Sequence, residues 1–205
     1  MLYLTLDTST DPHFIILSED KKILASEFLP NQHNLSSSLL PTIENIFKKT
    51  SYTLQDLSHI FIGVGPGSYT GVRVTVAIAT SLALALNIPL HPFCSLLAFL
   101  PENLPEGPFT FLAYSNHSSI FLLQGSIENK ELSSLITYNL LEEKDFLPKT
   151  ISSSSLISLN PEDTLKKWDI SSLKGSLNIP LLLSYLSLIK DTPPLPPTIY
   201  YLHHF

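Results

Sequence analysis

An apolar, strand-like run, Ile60-Phe61-Ile62-Gly63-Val64, ends in Gly65-Pro66-Gly67-Ser68-Tyr69-Thr70-Gly71-Val72-Arg73 and is followed by small and apolar residues from Val74 to Leu86 without a proline. Four of the seven glycines lie between positions 63 and 71. Glycine permits positive φ and close approach of another group, so a strand-to-helix turn this rich in it must meet something tightly. A phosphate, a second stretch of backbone and another protein all satisfy that requirement.

The familiar phosphate and nucleophile turns do not fit. A P-loop places a lysine after its last glycine, and no lysine occurs between Lys49 and Lys130. The dinucleotide fingerprint takes Gly65 and Gly67 but finds Thr70 where its third glycine belongs, with Gly71 one place late. A nucleophile elbow at Ser68 would need glycines where Pro66 and Thr70 stand. Ser68 reads as a helix N-cap, and what survives is a backbone anion nest with Arg73 one turn into the helix. The competing reading is tight packing of the turn against a neighbour. Val74, Ala77, Ser81 and Ala85 form one stripe of small side chains, and Val72, Ala79, Ala83 and Leu86 help form another. If one stripe covers a sheet, the other needs a partner.

Composition narrows the classes. With 205 residues, 44% of them hydrophobic, and a mean hydropathy of +0.21, the chain can build a real core in one large or two small domains. Charged residues make up 15% and the formal net charge is −6, which leaves no basic face for many phosphates and disfavours direct nucleic-acid binding by this chain alone. The single cysteine, Cys94, excludes an internal disulfide framework and reads as a buried small side chain. Met1 to Asp7 carry no basic segment and no apolar run approaches a membrane span, so a soluble cytoplasmic protein is expected.

In order, residues 3–8, 13–18 and 23–29 read as three short antiparallel strands. An amphipathic helix follows over 34–49, with Leu35, Leu39, Leu40, Ile43, Ile46 and Phe47 on one face and Pro41 expected to loosen a turn. Then come a strand over 59–64, the glycine turn, a helix over 69–86 ended by Asn87-Ile88-Pro89, a strand over 90–93 and a short helical stretch over 95–100. This is an α/β arrangement with a mixed sheet covered by helices. Residues 1–101 form the first domain, 102–108 the linker and 109–205 a smaller, divergent second domain. There, 109–115 and 118–124 read as a hairpin around Asn116-His117, and 135–138 as a third strand, an echo of the first half that suggests a duplicated fold with a trimmed second copy. Helices are predicted over Leu141–Leu147, Pro161–Trp168 and Leu177–Lys190, a loop over Ser152–Ser155, an extended connector over Pro193–Pro197 and a last strand over Thr198–Leu202.

A second polar cluster, Asp7-Thr8-Ser9-Thr10, closes the first strand. An acid there can orient a metal or water, and hydroxyls with backbone N–H groups can touch a phosphate; equally, these side chains can satisfy the strand end itself. The candidate phosphate site is therefore Asp7, Thr8 and Ser9 with Gly65, Gly67 and Ser68. His33, His91, His117 and the His203-His204 pair are far apart in sequence and none shows helical metal spacing, so each reads as a surface or locally bonded residue and no metal site is predicted.

Asp7-Thr8-Ser9-Thr10, Gln32-His33, Leu40-Pro41, the run Gly63 to Arg73, and Leu82-Ala83-Leu84-Ala85-Leu86 with Ile88-Pro89 together resemble the TsaB (YeaZ) family over residues 1–98. The family supplies the accessory subunit of bacterial tRNA threonylcarbamoyladenosine synthesis. The resemblance implies the actin, Hsp70 and sugar-kinase type (ASKHA) fold, in which each half starts with three antiparallel strands. It also implies a non-catalytic platform for a TsaD-type subunit, which carries the metal and transfers threonylcarbamoyl to N6 of adenosine 37 in tRNA. A TsaE-type ATPase is the implied third member. No cofactor is implied for this chain; ATP or metal belongs to the partner, and tRNA is met only indirectly.

Carried over, the subunit contact uses the helices at 34–49 and 69–86, with Leu39, Ile43, Thr70, Arg73, Val74, Ala77 and Ser81 as partner-binding positions and a homodimer through the same helices as an alternative pairing. The catalytic paralogue carries a His-x-x-x-His pair after the strand equivalent to 88–93, where this chain has Cys94 to Leu100. The second half departs from the family: the usual Asp-Ala-Arg type segment is replaced by Ala113 to Phe121 without charges, and His203 stands where an arginine is common. The reading from a different class is an enzyme with ATP-binding or glycoprotease-like chemistry around Asp7, Thr8, Ser68 and Arg73.

Overall fold

The computed structural model describes residues 1–29, 34–114, 119–133, 136–145, 155–159 and 172–191. They divide into two units, Met1–Ser95 joined by Lys190 and Asp191, and Leu96–Ile189. The division falls ahead of the expected linker at 102–108. Leu96 to Leu100 are buried, the Ala98 and Phe99 carbonyls accept from Asn178 and Ser176 of the second unit, and Gly107 and Pro108 already belong to a strand.

In the first unit β1 (Leu2–Asp7), β2 (His13–Glu19), β3 (Lys22–Leu29), β4 (Leu57–Gly63) and β5 (Leu90–Phe93) form one sheet in the order β3-β2-β1-β4-β5. The β1-β2-β3 pairs are antiparallel, as their short connections require, and β4 and β5 run parallel to β1 after helical crossovers. Alternation along β1 sends Leu2, Leu4 and Leu6 to one face, where they form a core with α1 (Leu35–Lys48) and α2 (Tyr69–Leu86). Pro41 lies on the exposed side of a continuous α1, so its missing N–H leaves no buried carbonyl unpaired. Asn87 ends α2 in the left-handed conformation, its N–H and that of Ile88 returning to the last turn of the helix.

One expectation about α2 is corrected. Its mean hydropathy of 1.5 over 18 residues makes it long and apolar enough to cross a membrane by length and composition. Val72, Ala79 and Ala83 are buried, Val74, Val76, Ile78, Leu82 and Leu86 are half-buried against the core, and Ala77, Leu84 and Ala85 stand exposed on the outer side of the helix.

In the second unit β6 (Gly107–Tyr114), β7 (Ser119–Glu128), β8 (Glu131–Leu132), β9 (Thr137–Glu142), β10 (Ser155–Ser158) and β11 (Leu173–Lys174) form a sheet ordered β11-β10-β6-β7-β8, with β9 also paired to β7. The path β9-β7-β6-β10-β11 repeats β3-β2-β1-β4-β5 in both order and direction, so the duplication is in the topology. Leu141 pairs with Ile120 in β9, which replaces the start of the helix expected over Leu141–Leu147, and a 3-10 turn follows at Glu143–Asp145. Ser155 opens β10 where a loop was expected. A third helix, α3 (Ile179–Ile189), occupies most of the predicted 177–190 segment. The predicted Asn116-His117 turn, the helix over 161–168, the proline run and the final strand lie outside the described residues.

Candidate functional site

The glycine turn is built against the end of β1. A β-carbon on Gly63 would overlap the Asp7 carboxylate, one on Gly67 the Ser9 carbonyl, and one on Gly71 the Thr8 carbonyl. The three glycines therefore admit Asp7-Thr8-Ser9 of the same chain. Hydrogen bonds lock the contact. Ser68 N–H donates to Ser9 O at 2.6 Å, Ser95 N–H to Gly65 O at 2.8 Å, and Gly65 N–H to Ser95 Oγ at 2.9 Å. Thr8 Oγ1 donates to Gly71 O at 2.8 Å and lies 2.7 Å from Thr75 Oγ1. Ser68 caps α2, its Oγ accepting from Gly71 N–H at 3.2 Å.

The residues expected to hold an anion, Asp7, Thr8, Ser9, Gly65, Gly67 and Ser68, are packed against one another here. Five amide donors of the turn and its surroundings bond inside the chain: those of Ser9, Gly65, Ser68, Gly71 and Val72 to Asp7, Ser95, Ser9, Ser68 and Ser68 respectively. Asp7, Thr8 and Ser9 are also buried. Asp7 Oδ1 accepts from Ser9 N–H at 2.8 Å and from Ser9 Oγ at 2.6 Å, whereas Oδ2 is buried without a hydrogen-bond partner. Burial pushes the Asp7 carboxyl above the ordinary carboxylate range, against the opposing pull of hydrogen bonds from Ser9 and Ser95. Asp7 is thus enclosed by its own chain, with no exposed face on its carboxylate.

The predicted partner positions separate into two groups. Leu39 and Ile43 are fully buried in the core with Leu4, Ile15 and Ile60, so they hold α1 to its own sheet and are corrected as contact residues. On α2, Thr70, Arg73, Ala77 and Ser81 are exposed on one side, and Val74 is half-buried beside them. Sequence reasoning missed Leu84, which is 77% exposed on that side, and on α1 passed over Leu40, 44% exposed, as one more core residue. Helical spacing shows that α1 has an apolar face without showing where the sheet-facing arc stops. Arg73 donates to Tyr69 Oη at 2.6 Å, with its guanidinium 5.0 Å from the ring centroid, and so lies along the helix. Both helices cover the same sheet face, so their outer residues share one layer: small at Ala77, Ser81 and Ala85, apolar at Leu40 and Leu84.

The histidine expectation also changes. His91 is 3% exposed, and its Nε2 lies 3.0 Å from Nδ1 of His59, a residue the spacing argument passed over. Neighbouring parallel strands bring them together, and Tyr3 and Phe61 pack against both rings or one of them. Burial lowers His91 to about 4, aided by the charge of His59, and lowers His59 as well. Among the described residues no three His, Cys, Asp or Glu side chains converge as metal ligands. Cys94 is buried, as expected.

Known proteins resemble this chain in sequence and fold. The family model described as TsaD, tRNA N6-adenosine threonylcarbamoyltransferase, matches residues 23–153. The tRNA threonylcarbamoyladenosine biosynthesis protein TsaB of Buchnera aphidicola subsp. Baizongia pistaciae is 31% identical over 172 residues, 83% of this chain and 70% of the relative. TsaB of Buchnera aphidicola subsp. Schizaphis graminum is 34% identical over 97 residues, 46% of this chain and 45% of the relative. In that alignment the chain spans about half the length of the curated relative. YeaZ from Pseudomonas aeruginosa superposes with a TM-score of 0.71 at 20% identity, covering 92% of this chain and 91% of that one, which shows the shared ASKHA-like fold. A relative 31% identical over 83% of the chain, together with the TsaD model over residues 23–153, places this protein in the TsaB family, on the domain type that the TsaD model also describes.

Proposed function

We propose that the chain is a non-catalytic subunit that docks a TsaD-type threonylcarbamoyltransferase and supports N6-threonylcarbamoylation of tRNA adenosine. The observation that carries this reading is the outer layer of α1 and α2, where Leu84 stands 77% exposed beside the small side chains Ala77, Ser81 and Ala85. Small residues let a partner helix approach closely, and covering a leucine contributes about 1.5–3 kcal/mol. The hydroxyls of Thr8 and Ser9 and the Oδ1 atom of Asp7 bond within the chain, which supports a structural role for them.

In this reading ATP and metal are held by the transferase and a TsaE-type ATPase, the chain works in the cytoplasm, and tRNA is reached through the transferase, in keeping with a formal net charge of −6. Without its partner the same face pairs with a second copy. Reconstitution tests the function: threonylcarbamoyl transfer to tRNA by purified TsaD-type and TsaE-type proteins should depend on adding this chain. Equal transfer in its absence would reject the reading.

A further inference from the structure

A cleft of about 630 Å³ opens in the second unit between the Pro101–Glu106 connector, the β7-β8 turn and the first turn of α3. That volume falls in the ordinary range of ligand sites. Pro105, Ile127, Pro180 and Leu181 give it apolar walls, and its prolines carry no N–H. The start of α3 offers little to an anion: Pro180 has no amide hydrogen, Leu181 N–H donates to Asn178 Oδ1 at 3.2 Å, and Leu182 N–H donates to Asn178 O at 3.2 Å. The rim is acidic instead. Glu102 and Glu106 are both exposed there, and Glu106 is anchored by Lys130 N–H, which donates to its Oε1 at 2.8 Å. Among the described lining residues Lys130 is the single cation against these two carboxylates.

Apolar walls, spent donors and a net acidic rim complement a cation carried on an apolar body. We propose that this cleft binds a basic segment of a partner protein, in which an arginine or lysine meets Glu102 and Glu106 while its apolar neighbours cover Leu104 and Leu181. The cleft uses no residue of α1 or α2.

The test uses the full chain, isotopically labelled, titrated with the peptide acetyl-Leu-Arg-Leu-amide and with its uncharged citrulline counterpart. Amide shifts should cluster at Glu102, Leu104, Lys130 and Leu181. The double variant Glu102→Gln, Glu106→Gln keeps the acceptor for Lys130 N–H and should weaken arginine-peptide binding about threefold to tenfold, the size expected for exposed charge pairs. The citrulline peptide should lose as much. No clustered shifts at about 10 mM peptide, the weak limit of measurable affinity, would overturn the proposal, as would equal binding of the citrulline peptide. Tighter binding of free spermidine at the same residues would also overturn it, by assigning the cleft to a small polycation.

Discussion

The hydroxyl of Thr8 donates to the carbonyl oxygen of Gly71 at 2.8 Å, and the Thr8 carbonyl occupies the space that a β-carbon on Gly71 would need. The two residues are 63 positions apart in sequence, and their contact ties the end of β1 to the first turn of α2. Gly71→Ala forces two backbone segments apart and should destabilise the chain by about 2–3 kcal/mol, the range for overpacking a tight site. Urea denaturation measures this; a loss under about 0.5 kcal/mol, the scale of an ordinary surface change, would mean that the turn has slack.

Asp7 supplies a second test. Its carboxyl is fully buried and titrates above the unfolded value of 3.8, so the folded chain binds more protons than the unfolded chain between the two values. The resulting stabilisation is present below 3.8 and is lost as pH rises through the folded value. Asp7→Asn keeps the shape and removes the ionisation. The variant should gain stability relative to the parent as pH rises from acid toward neutrality, and denaturation across that range would show a constant difference if the carboxylate carried no burial cost.

The His59-His91 pair has the opposite sign. Both rings favour the neutral form when folded, His91 down to about 4 from 6.5, so the folded chain binds fewer protons and stability falls as pH drops through that window. His91→Phe keeps an aromatic ring against Phe61 and should flatten this acid limb, most clearly in the Asp7→Asn background where the opposing slope is gone. An unchanged acid limb would show that His91 is not its source.

The elements of the first unit were legible because strand and helix periods are clear in its sequence: β1 to β5, α1 and α2 all fall where apolar spacing puts them. The two-residue strands β8 and β11 carry no period to read. β9 reaches Leu141 and Glu142 because pairing with β7 outweighs a local helical pattern. At the site, the glycines announced a close approach without naming what approaches; that Asp7, Thr8 and Ser9 fill the space follows from the parallel pairing of β1 with β4. The same gap hid the His59-His91 contact, and it placed Leu39 and Ile43 on a partner when the chain's own sheet takes them.

Docking through the outer layer of α1 and α2 is measured by light scattering on this chain mixed with a purified TsaD-type transferase. One species with the summed mass is expected at micromolar concentration. Ala77→Arg, on the exposed side of α2, should abolish that species while shifting stability by no more than about 0.5 kcal/mol. Leu39→Arg, by contrast, should unfold the chain, because it places a charge in the core. Two separate masses for the parent proteins, or a complex that survives Ala77→Arg unchanged, would rule out docking through this layer.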